Sequence, residues 1–105
     1  MRTRSFEKDH ASVDQAQRFN SGEYHVCGVI VDTNPAKTQD IMTIITAMDG
    51  CEIHHTDPEK HYADVRFIVV VEDTETISSY DQMNNLQKIE GVLSVSLMSH
   101  FFDQP

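Results

Sequence analysis

Apolar residues recur along this chain with two different periods, and the changes of period mark out its elements. Tyr24 to Asp32 reads Tyr-His-Val-Cys-Gly-Val-Ile-Val-Asp, a run rich in β-branched residues and too short for a buried helix, which predicts a first strand. Asn34-Pro35 then supplies a capping side chain and a proline at the first helical position. Ile41, Ile44, Ile45 and Met48 follow at helical spacing, so they predict one apolar helix face that ends at Gly50. Cys51 to Thr56 is a short second strand, and Asp57-Pro58-Glu59-Lys60 places proline where a tight turn wants it. Ala63 to Glu72 is the third strand, apolar almost throughout, so both of its faces should meet other groups. Thr74, Ile77, Tyr80, Met83 and Leu86 predict a second helix, with Asp73 or Thr74 as N-cap and Glu75 in the first turn. Gly91 ends it, and Val92 to Met98 alternates as a half-buried fourth strand.

The order is strand, helix, strand, strand, helix, strand, and its halves echo each other: Met48-Asp49-Gly50-Cys51 matches Ile89-Glu90-Gly91-Val92. Two βαβ halves with right-handed crossovers give an α+β, ferredoxin-like βαββαβ fold, a four-stranded antiparallel sheet with both helices on one face. The other face is left open. In the fourth strand the serines prefer that open side, which puts Leu93, Val95 and Leu97 under the helices and Val92, Ser94, Ser96, Met98 and His100 outward. In the third strand Val65, Phe67, Val69 and Val71 are the bulkier set and take the core, leaving Arg66, Ile68, Val70 and Glu72 open. In the first strand Cys27, Val29 and Val31 go inward, and Val26, Gly28, Ile30 and Asp32 outward, because a free cysteine buries readily. The open face should therefore carry an apolar patch with small residues between its larger side chains, the usual mark of an interaction site. A second copy of the chain, giving a homodimer, and the chain's own tail compete as occupants of that patch.

Composition narrows the partners. The 105 residues suffice for one domain with a two-layer core, without disulfide or metal. Residues 1–23 hold only scattered apolar side chains and are expected to be a flexible extension, with a nascent helix around Ser12 to Arg18; the domain should run over 24–100, followed by a short tail at 101–105. A formal charge of −9 argues against nucleic acid, whose binding rests on lysine and arginine, and favours a basic partner. Cys27 and Cys51 have no paired spacing and are expected to be free thiols in a reducing compartment. No apolar run has the length of a secretory core or of a membrane span, so a soluble, cytoplasmic protein is expected, without stable membrane insertion.

The chemistry of catalysis is hard to find. Adjacent His54 and His55 on a strand point to opposite faces, so with His61 they make a poor metal site, and no metal or other cofactor is expected. No Gly-rich phosphate loop and no nucleophile elbow is present, and nothing orients Cys27 as a nucleophile. RNA recognition by this strand order would need stacking aromatics and a basic surface, whereas Phe67 falls on the core side.

Five segments, in order and spacing, are similar to NapD proteins: His25 to Val31 (His-Val-Cys-Gly-Val-Ile-Val), Gly50 to Ile53, Ile68 to Glu72, Asp73 to Ile77 and Ile89 to Leu97. The resemblance covers roughly Tyr24 to His100, and its most specific piece is Glu90 to Leu97 (Glu-Gly-Val-Leu-Ser-Val-Ser-Leu) with His100 shortly after. It implies a ferredoxin-like chaperone without enzymatic activity. Such a chaperone binds the twin-arginine signal peptide of the periplasmic nitrate reductase catalytic subunit and delays export until the molybdenum cofactor is inserted. The open-face residues Val26, Gly28, Ile30, Asp32, Ile68, Val70, Glu72, Ser94, Ser96, Met98 and His100 are then the candidate peptide site. The chain departs from the family in its long N-terminal extension. A regulatory ferredoxin-like domain that dimerises through its sheet and binds a small molecule is the alternative.

Overall fold

The computed structural model describes residues 15–54 and 65–103. Residues 15–20, at the end of the segment expected to be flexible, are helical (α1), and Gln15 is buried there because its side-chain amide donates to the Thr74 carbonyl at 2.9 Å. The chain then runs through β1 (Tyr24–Thr33), a 3-10 turn (Pro35–Lys37), α2 (Thr38–Thr46), β2 (Cys51–His54), β3 (Arg66–Glu72), α3 (Ser79–Gln87) and β4 (Val92–Asp103). The sheet order is β2-β3-β1-β4 with every neighbouring pair antiparallel, the ferredoxin-like arrangement. The turn expected at Asp57 to Lys60, and His55 and His61, lie outside the described residues.

Alternation along the two central strands places the core. Cys27, Val29 and Val31 of β1 and Phe67, Val69 and Val71 of β3 are buried together with Ile41 and Ile45 of α2 and Leu86 of α3. Asn34 accepts from the Ala36 N–H at 3.0 Å and Pro35 follows it, so the chain enters the helical layer where the cap and proline require. Gly50 turns the chain from α2 into β2 with φ +77°; a Cβ there would be strained and would run into the Glu72 carbonyl. Both cysteines are free thiols. Cys51 is half-buried, and burial, with help from the nearby Asp49 carboxylate, pushes its thiol up to about 11.

Several expectations are corrected by packing. The second helix begins at Ser79, with Ser78 as N-cap accepting from the Asp81 N–H at 3.1 Å, and not at Asp73 or Thr74. Asp73 is instead buried at the end of β3: one carboxylate oxygen takes the His25 N–H at 2.9 Å and the other the Ser79 N–H at 2.7 Å. The later start turns the helix, so Tyr80 is 70% exposed while Ser79, Gln82 and Leu86 face inward. Ile44 of α2 is likewise exposed, its place on the core taken by Met42. Leu97 lies on the helix side but is 57% exposed, because β4 is the outer strand and the helices stop short of its free edge; a register shift between Asp32 and Thr33 leaves Leu93 as an extra residue at 69% exposure and sets Val92, expected outward, opposite buried Thr33 and against the core.

Candidate functional site

The strand register sets out the open face as four rows running across the sheet. The first row holds Arg66, Asp32 and Ser94; the second His54, Ile68, Ile30 and Ser96; the third Glu52, Val70, Gly28 and Ser99; the fourth Glu72, Val26 and Phe101. Nine of the eleven candidate residues lie in these rows and Met98 packs beside them over Gly28, so His100 is the exception. Ile30, Ile68, Val70 and Val26 are half-buried by their neighbours, with no described helix over them. Met98 and Phe101 stand further out, at 52% and 61% exposure. Gly28 is covered, since a Cβ on it would come 2.8 Å from the Ser99 hydroxyl and 3.4 Å from the Met98 methyl, so the relief expected at this position is filled by β4 side chains.

A β-bulge decides the fate of His100. Gly28 pairs with Ser99 but Val29 pairs with Leu97, which leaves Met98 as the extra residue in β4. Beyond it the alternation is inverted: Ser99 and Phe101 come to the open face, and His100 lies on the helix side opposite Cys27. There its Nε2 is 3.0 Å from His25 Nδ1, with the ring planes only 8° apart and the centroids separated by 5.3 Å. That centroid separation is what remains when two ring nitrogens point at each other, so the rings share a plane and one hydrogen bond instead of lying face to face. His25 also approaches the Glu23 carboxylate, at 3.4 Å. The pair lines a cavity of about 520 Å³ on the helix side, together with Gln15, Cys27, Met83 and Leu97.

Carboxylates stand at the ends of the apolar rows. Asp32 accepts from Arg66 Nε at 2.6 Å and from the Ser94 hydroxyl at 2.8 Å, and these bonds, the Arg66 one foremost, hold its pKa below the usual carboxylate value. Glu72 accepts from the Tyr24 phenol, which that hydrogen bond, before burial and charge repulsion, pushes up to about 12. Glu52 lies on the same face near His54, 3.7 Å away. Neither Asp32 nor Glu72 is an isolated acceptor: an incoming cation would share each with a partner already in place. Tyr24, Glu52, Ser99 and Phe101 were not among the candidates from alternation alone. Tyr24 and Glu52 follow from carrying the same alternation one step further, whereas Ser99 and Phe101 require the bulge. Among the described residues, no three His, Cys, Asp or Glu side chains are grouped to hold a metal ion, and no helix is long and apolar enough to cross a membrane.

The architecture and an apolar surface over which no described helix lies define the class as a ferredoxin-like α+β module that presents one sheet face. The family model described as NapD protein matches residues 24–104. A chaperone NapD of Haemophilus influenzae is 32% identical over 85 residues, covering 81% of this chain and 87% of that protein. A chaperone NapD of Escherichia coli K12 is 31% identical over 77 residues, covering 73% of this chain and 84% of that protein. The solution structure of the E. coli Tat proofreading chaperone protein NapD superposes with a TM-score of 0.58 at 34% identity, over 74% of this chain and 78% of that one. This chain belongs to the NapD family of chaperones.

Proposed function

We propose that this chaperone binds, in the cytoplasm, the twin-arginine signal peptide of a periplasmic nitrate reductase catalytic subunit, and that it does so on the open sheet face. Binding there would delay export until the molybdenum cofactor is inserted and the subunit is folded; no step of this is catalytic. The observation that carries the reading is the apolar centre formed by Val26, Ile30, Ile68, Val70, Met98 and Phe101, with carboxylates at Asp32, Glu52 and Glu72 around it. A signal peptide has the complementary layout, arginines followed by an apolar segment. The membership in a chaperone family and the proofreading role named for the E. coli relative support the same assignment. Of the eleven candidate residues, His100 is left out, because it faces the helix side.

Calorimetric titration with a synthetic twin-arginine peptide tests this. Saturable binding is expected, weakening as salt rises, because exposed charges are screened over about 8 Å at physiological ionic strength. No heat with the peptide overturns the reading. Heat with free amino acids in its place would select the alternative, a ferredoxin-like regulatory domain for a small molecule.

A further inference from the structure

Charge is divided unevenly between the first residues of this chain and the rest. Residues 1–8, which lie outside the described residues, hold Arg2, Arg4 and Lys8 against Glu7, a net of +2. Out of a total of −9, that leaves −11 for the remaining chain. The same short stretch carries Phe6, set between Arg4 and Lys8. A basic segment with one large apolar side chain complements the open sheet face, whose centre is Val26, Ile30, Ile68 and Val70 with Asp32, Glu52 and Glu72 around it. The tether leads to that face as well. The Gln15 amide donates to the Thr74 carbonyl, so the chain upstream of α1 departs beside Thr74, two residues past Glu72 of the fourth row. Eleven residues separate Arg4 from Gln15, a reach of about 36–40 Å when extended. The open face from Glu72 to Arg66 is about 20 Å long at ~3.3 Å per residue, which leaves slack to round the end of the sheet. Asp9 and Asp14 fall in the tether, short of the basic end.

We infer that residues 1–8 dock on the open sheet face of their own chain, with Phe6 against the apolar centre and Arg2, Arg4 and Lys8 toward the surrounding carboxylates. The occupant is the chain's own segment and not a second copy, because two chains that each carry −9 repel, whereas this is the most basic stretch of the sequence. Tethering makes a weak contact sufficient. A short linker holds its end at an effective concentration on the order of 1 mM, so a segment whose free Kd is about 1 mM is docked about half of the time. The consequence for the peptide site rests on the function proposed above: the segment covers the same apolar centre, so a signal peptide binds only as it leaves. The extension then sets a threshold, which a peptide with a longer apolar segment exceeds.

Methyl resonances of the full chain test the docking without any peptide. Ile30 and Ile68 lie on the open face, whereas Ile41 and Ile45 are buried in the core. In two-dimensional proton–carbon spectra, the triple variant Arg2→Glu, Arg4→Glu, Phe6→Ser should move the Ile30 and Ile68 methyls and leave those of Ile41 and Ile45 in place. Added salt should move the same two methyls of the parent toward their positions in the variant. Unmoved Ile30 and Ile68 overturn the inference. So does movement of Ile41 and Ile45 instead, which puts the segment on the helix side. A difference that appears only as the protein is concentrated overturns it too, because the contact is then between copies. Calorimetry with the twin-arginine peptide reads the consequence: the variant should bind about two- to tenfold more tightly than the parent, for a free Kd of the segment of about 1 to 0.1 mM. Equal affinity overturns the inference, because a docked segment must compete. If neither protein binds the peptide, the function proposed above fails, while the methyl shifts still decide the docking.

Discussion

Replacing Asp73 with alanine should destabilise the domain more than any surface position, for a reason that can be counted in hydrogen bonds. Asp73 is 4% exposed, and its N–H continues the β1–β3 ladder by donating to the His25 carbonyl at 2.9 Å. Its side chain, not its carbonyl, returns the bond to the His25 N–H, and the second oxygen holds the Ser79 N–H in the first turn of α3. One carboxylate therefore closes the end of a strand and starts a helix, where negative charge also suits the helix dipole. Alanine removes the side-chain acceptor from a buried N–H, that of Ser79, and from a part-buried one, that of His25. At roughly 1–3 kcal/mol for each unsatisfied donor, a loss of about 3 kcal/mol is the central expectation. For a domain of this size that corresponds to a fall of about 12–24 °C in Tm, at 4–8 °C per kcal/mol. Asp73→Asn keeps one acceptor and turns a donor toward the other N–H, so its Tm should fall between the alanine variant and the parent. Thermal unfolding followed by circular dichroism reads all three proteins. If Asp73→Ala melts within ~3 °C of the parent, the two bonds do not carry the junction and the reasoning fails.

Two further outcomes follow from the open face. Ser96→Arg puts volume and positive charge beside Ile30, where a cationic peptide must approach, so binding measured by calorimetry should be lost with the fold intact. Leu97→Arg, one residue on, should keep both fold and peptide binding, since Leu97 is exposed on the helix side; loss of binding in Leu97→Arg with retention in Ser96→Arg would invert the faces. Tyr24 should ionise near pH 12 in a phenolate absorbance titration, and Glu72→Gln should bring it back toward an ordinary tyrosine. The folded-state value lies above the unfolded value of 10.0, so this contact stabilises below pH 10 and its contribution fades as pH rises from 10.0 toward 12; a tyrosine that titrates normally in the parent contradicts the contact.

Local pattern alone was enough for the order of the elements, for the inward set Cys27, Val29, Val31, Phe67, Val69 and Val71, and for the outward serines of β4. The reason is that side-chain alternation is a property of the extended backbone itself, so a β-branched run reports its own two faces without reference to its neighbours. It was legible for most of the candidate surface for the same reason. What pairing and layer packing decided lies elsewhere. The bulge at Met98 exists only in relation to β1, and it sends His100 to the helix side and brings Ser99 and Phe101 to the open face, which no count along β4 reveals. Asp73 looks like a helix cap in a linear reading, but the ladder to His25 claims it first and α3 starts six residues later. Leu97 obeys the alternation and still remains exposed, because burial depends on how far a helix reaches across the sheet, and at the free edge of β4 nothing among the described residues reaches over it.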